Sequence, residues 1–188
     1  LIMFNDRYHH TNAVIEERKT RATQIMAGID FPVNMVMGRV LPDKDGKIYA
    51  VANGENIIVK LRYKVGEVVA VAQCYNDVVR EFTDLAFVPG STNKMFVRAD
   101  LMPHQIRIIG IRCERLRDIS DEECIKEGVY AGSQALEYPY YFIDTKQFLI
   151  CDYKSPRRAF AALIDKVSGR GTWDRNPWVV VYEFELVK

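Results

Sequence analysis

Arg62-Tyr63-Lys64-Val65-Gly66-Glu67-Val68-Val69-Ala70-Val71-Ala72 is the stretch whose reading decides the fold. Basic residues and a glycine make a turn, and an apolar run follows. Across residues 67 to 75 that run is nearly unbroken, which predicts a strand buried on both faces or closing a barrel. Upstream, residues 47 to 61 alternate around Asn53-Gly54, a pair suited to the positive φ values of a two-residue hairpin turn. Downstream, residues 105 to 117 read as a strand with Ile109, Ile111 and Cys113 on one side and Gly110, Arg112 and Glu114 on the other.

Helices punctuate these strands. Residues 6 to 18 suit a short helix that delivers Lys19-Thr20 at its end, with Thr11-Asn12 as a competing cap. Ser120-Asp121-Glu122-Glu123 is a capping box, and Gly128 suits the left-handed position that closes the helix. Ser155-Pro156 opens another helix whose stripe is Phe160, Leu163, Ile164 and Val167, ending at Ser168-Gly169. Asn176-Pro177 then releases a last strand in which Trp178, Val180, Tyr182, Phe184 and Leu186 alternate with Val179, Val181, Glu183 and Glu185.

The 188 residues are 48% hydrophobic and 27% charged, which fits one domain over 1–188 with an ample core. Twenty-six basic against 25 acidic residues leave a net charge of +1, so any nucleic-acid surface has to be a local patch. Cys74, Cys113, Cys124 and Cys151 form no Cys-x-x-Cys pair, which predicts a reduced, cytoplasmic setting without a zinc knuckle. The amino end is apolar for only four residues and reads as neither leader nor anchor. No run reaches the ~18 apolar residues of a membrane helix. His9, His10 and His104 lack partners at ligand spacing, and no glycine-rich phosphate loop or nucleophile elbow occurs, so neither metal nor cofactor is expected.

Three places can carry chemistry. Arg18-Lys19-Thr20-Arg21 gathers three cations and a hydroxyl, able to anchor phosphate or, with the lysine desolvated, to act as a base; a solvated helix end is the alternative. Glu127 stands at the negative end of its helix dipole, where no local rule asks for a carboxylate, and opposite Lys19 it would make a proton-transfer pair or a clamp for a base edge. Gly169 to Arg175 reads as a flexible loop in which Arg170 and Arg175 contact phosphates and an exposed Trp173 stacks a base, with Trp173 as a barrel plug the competing reading.

The order of these motifs resembles the ASCH family, and most nearly its phage and mobile-element members. Ala13 to Thr20 is similar to the family's entry of an aliphatic residue and then Gly-Arg-Lys-Thr, with Glu17 in place of the glycine. Leu116 to Gly128 resembles its Leu-x-x-Ile-Ser-x-Glu-x-x-x-x-Glu-Gly helix, and Gly171 to Val187 its Gly-x-Trp-x-x-Asn-Pro-Trp-Val ending. The resemblance implies an α+β fold: a PUA-like mixed β-barrel of five or six strands, flanked by helices, with a carboxy-terminal helix-loop-strand elaboration. It also implies an RNA or modified-nucleotide partner.

Some bacterial members hydrolyse N4-acetylcytidine with a lysine, a threonine three residues on and a glutamate in the acidic helix. Lys19 and Glu127 match two of these, but the threonine position is Ala22, and Gln73 stands where relatives carry a glutamate. Thr20 and Thr23 cannot be assumed to substitute, since neighbouring side chains in an extended segment face opposite ways. The leading expectation is a binding module with its cleft near Arg18, Lys19, Thr20 and Arg21, bordered by Arg170, Trp173 and Arg175. A nucleoside amidohydrolase or ribonuclease using Lys19 and Glu127, and a protein-interaction factor of a mobile element, are the alternatives.

Overall fold

The computed structural model describes residues 1–26, 37–42, 48–52, 55–58, 61–78, 88–132, 141–143 and 150–187. A 3-10 turn over Asp6–Tyr8 leads into α1 (His10–Ile15), β1 (Arg21–Ile25), β2 (Met37–Pro42), β3 (Ile48–Ala52), β4 (Glu55–Ile58) and β5 (Val68–Ala70). Then come α2 (Tyr75–Val78), β6 (Gln105–Arg115), α3 (Asp121–Lys126), β7 (Tyr130–Ala131), β8 (Tyr141–Ile143) and β9 (Ile150–Tyr153). The chain ends with α4 (Pro156–Ser168), α5 (Thr172–Arg175) and β10 (Trp178–Val187).

The fold is α+β. Its centre is a curled antiparallel half-barrel sheet in the order β1-β10-β6-β5, accompanied by two three-stranded sheets, β2-β3-β4 and β7-β8-β9. The expected mixed sheet of five or six strands is corrected here: among the described residues every strand ladder is antiparallel, and the parallel contact is the single bridge between Ile2 and Val71. The hairpin around residues 53 and 54 is present as β3 and β4, paired from Ala52↔Glu55 outward, while the Asn53-Gly54 turn itself lies outside the described residues.

The opening stretch folds as its chemistry dictates. Gly66 takes φ +84, Glu67 N–H donates to Lys64 O at 3.1 Å, and the Glu67 carboxylate accepts Lys64 N–H at 2.8 Å, closing the turn on itself. Val69, Ala70, Val71 and Ala72 are then buried in succession, as an unbroken apolar run requires. The strand is shorter than its pattern, because past Ala70 the backbone bonds Ile2 and His104 in place of a full ladder, and α2 begins at Tyr75.

β10 pairs with both β1 and β6 and is buried on both faces. Val180, Tyr182 and Phe184 join Ile2, Phe4, Val69, Ile106 and Ile108 in one apolar cluster, while Val179 and Val181 meet Phe160, Leu163 and Ile164 of α4 in another. Burial of those three α4 side chains is worth roughly 1.5–3 kcal/mol each. The Ser155 cap, accepting Arg158 N–H at 3.3 Å, adds only about 1 kcal/mol, so packing holds the helix and the cap sets where it starts. Val167, expected in the stripe, is exposed at the helix end.

β6 changes phase midway. Its register against β10 runs Glu183↔Gly110 and then Phe184↔Ile108, so Ile109 is the extra residue of a β-bulge and is 51% exposed. Ile106 and Ile108 face the core before the bulge, and Ile111 and Cys113 do so after it. The expectation that Ile109 shares a side with Ile111 and Cys113 therefore fails at that one residue, since strict alternation does not survive an inserted position.

Two further segments differ from the sequence reading. α1 starts from His9, at φ +51, with Thr11 inside the helix and its hydroxyl bonded to Asp6, so Thr11-Asn12 is not the cap. The flexible loop expected at 169 to 175 is instead a turn of helix, α5. Asp165 fixes it by accepting Gly171 N–H at 3.0 Å and Trp173 N–H at 2.9 Å.

A candidate ligand site at the Lys19–Glu127 pair

Residues 19, 21 and 23 lie two apart on an extended segment entering β1, so their side chains share one face. All three reach Glu127. Lys19 Nζ donates to Glu127 Oε2 at 2.8 Å and to the Glu127 backbone carbonyl at 2.6 Å, Arg21 Nε lies 3.3 Å from Glu127 Oε1, and the Thr23 hydroxyl donates to that same oxygen. Lys19 and Glu127 are each 4% exposed.

The capping box explains why α3 presents a carboxylate there. Ser120 Oγ accepts Glu123 N–H at 3.2 Å and Glu123 Oε2 accepts Ser120 N–H at 2.8 Å, which fixes the helix start. The helix then ends six residues later with Glu127 at its C-cap, and Gly128 follows at φ +101. A carboxylate at the negative end of a helix is unfavourable unless cations answer it, and here two do. Glycine is needed next for its backbone and for space: a Cβ on Gly128 would come within 3.4 Å of His10 Cδ2 and 3.7 Å of Lys19 Cδ.

Behind the pair lies a charged cluster. Arg21, 1% exposed, gives Nη1 to Glu123 at 2.6 Å and Nη2 to Glu114, and Arg112 bonds Glu114 at 2.8 Å as well as Glu123 and Glu183. Burial pushes the Glu123 carboxyl up, but the Ser120 amide together with Arg21 and Arg112 outweighs it and holds the group below the usual range.

A cavity of about 330 Å³ opens on the other side, lined among others by Lys19, Thr23, Glu127, His10, Arg62 and Tyr182. Its size is that of a small-molecule site. Tyr182 accepts Arg62 N–H at 3.1 Å and stands edge-on to Tyr63, with ring centroids 5.4 Å apart. Burial raises both phenols above their ordinary pKa. His10 is pushed down to about 2 by burial first and then by Lys19 and Lys94, so it is a neutral imidazole.

The sequence-predicted residues divide clearly. Lys19 and Glu127 come together and line the cavity. Arg18 does not line it: it pairs with Glu16 and lies over the Tyr130 ring, 4.2 Å from its centroid. Thr20 is held through its backbone, to Lys126 O at 3.1 Å and Phe184 N–H at 2.9 Å, and Arg21 is occupied by carboxylates. Arg170, Trp173 and Arg175 are also outside the lining. Trp173 packs edge-on to Phe160 and Arg175 bonds Thr172 at 2.8 Å, so the indole is partly buried and not exposed.

Alternation along the strand separates positions 22 and 23. Ala22 packs toward the apolar cluster, whereas Thr23 shares the face of Lys19 and Arg21. Sequence reasoning also missed His10, Arg62 and the carboxylate cluster; the spacing 19, 21, 23 was the available signal for Thr23. Among the described residues no group of three or more His, Cys, Asp and Glu side chains is placed to hold a metal, and no helix is long and apolar enough to cross a membrane. Comparison of the chain with protein-family models, with curated proteins and with solved structures gives no match.

Proposed function

We propose that the chain is a PUA-like domain of the ASCH type that binds a modified nucleoside or nucleotide in the cavity beside Lys19. The observation that carries this reading is the buried Lys19–Glu127 pair forming one wall of a cavity also lined by Tyr63 and Tyr182. A lysine ammonium has three donors, and Glu127 takes two, so one serves a ligand carbonyl or phosphate oxygen. Aromatic faces suit a base. Two of the cations expected to follow a long RNA backbone, Arg21 and Arg175, are engaged elsewhere, which favours a small ligand over an extended strand.

The backbone at Glu17 supports the family reading. It adopts φ +57, a left-handed conformation that favours glycine, at the position where the ASCH entry motif has one.

Calorimetric titration with cytidine, N4-acetylcytidine, CMP and a single-stranded RNA 12-mer tests this. Nucleoside or nucleotide binding that is lost in Lys19→Met is expected. Binding only of the 12-mer, unchanged in that variant, would sink the proposal.

A second reading is favoured by Thr23. A hydroxyl bonded to Glu127 and within the same cavity as Lys19 has the parts for hydrolysis of an exocyclic amide. Thr23 Oγ would attack the acyl carbon as its proton passes to Glu127. Lys19 would hold the developing oxyanion, Glu127 would return the proton to the departing amine, and water would then cleave the acyl-threonine ester. Acetate release from N4-acetylcytidine that drops at least ~100-fold in Thr23→Val and survives in Thr23→Ser is the expected outcome. Release indifferent to Thr23→Val would rule this route out.

A further inference from the structure

We infer that His10 is the residue that selects the ligand, its imidazole hydrogen-bonding the uncharged donor and acceptor edge of a heterocyclic base seated against Lys19 and Glu127. This rests on the cavity being a nucleoside site. His10 is only 9% exposed and lines the cavity, and among the described residues burial and the charges of Lys19 and Lys94, with no hydrogen bond, act on its ring. A polar ring that borders a cavity and has no hydrogen-bond partner among the described residues gains by bonding whatever fills that cavity.

The position of the ring is fixed from two sides. Tyr8 packs against it with centroids 5.9 Å apart, and Gly128 leaves room for the ring and the Lys19 stem to lie together. No φ-driven or rotameric freedom is needed to bring it to a ligand at Lys19.

The electrostatics define the ligand class. Burial, Lys19 and Lys94 all oppose a proton on His10, so the ring keeps one donor and one acceptor across physiological pH. A cationic ligand group would meet the Lys19 ammonium. An anionic group could take the remaining Lys19 N–H, but beside His10 it would find a neutral imidazole and the Glu127 carboxylate. What suits that corner is a neutral edge carrying both a donor and an acceptor, as a pyrimidine base does.

Cytidine, uridine and ribose 5-phosphate are the probes, titrated into wild type, His10→Phe and His10→Gln. Wild type is expected to bind cytidine or uridine, with the affinity falling at least tenfold in His10→Phe and recovering in part in His10→Gln; ribose 5-phosphate binding changes less than twofold. Nucleoside binding in His10→Phe within twofold of wild type overturns the role of His10 and leaves the cavity assignment standing. Failure of wild type to bind either nucleoside overturns the role of His10, and failure to bind N4-acetylcytidine and CMP as well overturns the cavity assignment. Should His10→Phe not fold, the imidazole nitrogen resonances of wild type, assigned with His10→Gln, decide the matter: a shift at saturating nucleoside supports the inference, and none overturns it.

Discussion

Residues 19 to 21 and residues 170 to 175 each supply a cation pair, and they use them differently. Lys19 and Arg21 bond carboxylates more than 90 residues away, on α3 and β6. Arg175 bonds Thr172 and the Arg170 carbonyl, three and five residues back. The first set ties distant elements of the fold together beside a cavity, and the second shapes one turn of helix. The lesson is that a basic segment has no fixed role: what the chain brings opposite it decides whether its charge is structural, local or open to a ligand.

The contrast breaks most visibly at Arg21. Arg21→Met leaves Glu114, Glu123 and Glu127 without their shared guanidinium and is expected to cost about 3–5 kcal/mol, as losing one side of a buried ion cluster does. Urea unfolding followed by circular dichroism measures it; a cost below about 1 kcal/mol would mean the cluster does not hold α3 to the sheet.

Next comes acid sensitivity. His10 has a folded pKa of about 2 against an ordinary 6.5, so the unfolded chain binds the proton more readily, and the stability due to a neutral His10 is full above pH 6.5 and lost as pH falls toward 2. From pH 7 to 5 that loss is about 2 kcal/mol. Glu123, whose pKa is depressed from 4.5, contributes its own loss only below that ordinary value, so between pH 6.5 and 4.5 the loss from this pair of groups is His10's. Relative to His10→Phe, wild type should lose about 2 kcal/mol of stability between pH 7 and 5, read from denaturant midpoints, and parallel curves would contradict the burial of a neutral ring.

Arg175→Met should cost no more than about 1 kcal/mol, the worth of ordinary hydrogen bonds, with nucleoside binding unchanged. Smallest is the effect of Asp165→Asn. Its carboxylate is held below the usual range by Trp173 N–H first and then Gly171 N–H, so its contribution exists above the ordinary carboxylate pKa and fades as pH falls through the lowered value. The indole cross-peak of Trp173 should move in this variant while the global midpoint stays put. A large global loss would show that α5 carries more of the fold than its local bonds indicate.

What could be read from the residues was local. The Ser120–Glu123 box, the Ser155-Pro156 helix start, the Lys64–Glu67 turn and the alternation of β10 are written within a few positions of one another, and each is found as expected. Lys19 and Glu127 were legible as candidates because each sat oddly in its own segment, but their meeting spans 108 residues and no local rule encodes it. Arg21 and Arg18 have the same chemistry in the sequence. One is sealed among carboxylates and the other lies on Tyr130, and only the three-dimensional neighbours distinguish them. Nothing in the segment around His10 marks it as a ligand contact, because its burial depends on α1 packing near Gly128.

The bulge at Ile109 gives the molecule a reading frame in space. Upstream of it, even-numbered residues of β6 point to the apolar interior; downstream, odd-numbered ones do, and that leaves Arg112 and Glu114 free to join the carboxylates around Arg21. An exposed isoleucine can be exchanged for threonine or lysine with little consequence. Deleting it is another matter, since every later side chain of β6 would change sides and a guanidinium would arrive where Ile111 packs. Position 109 matters as a count and hardly at all as a side chain, and an insertion or deletion there would be far more damaging than any substitution.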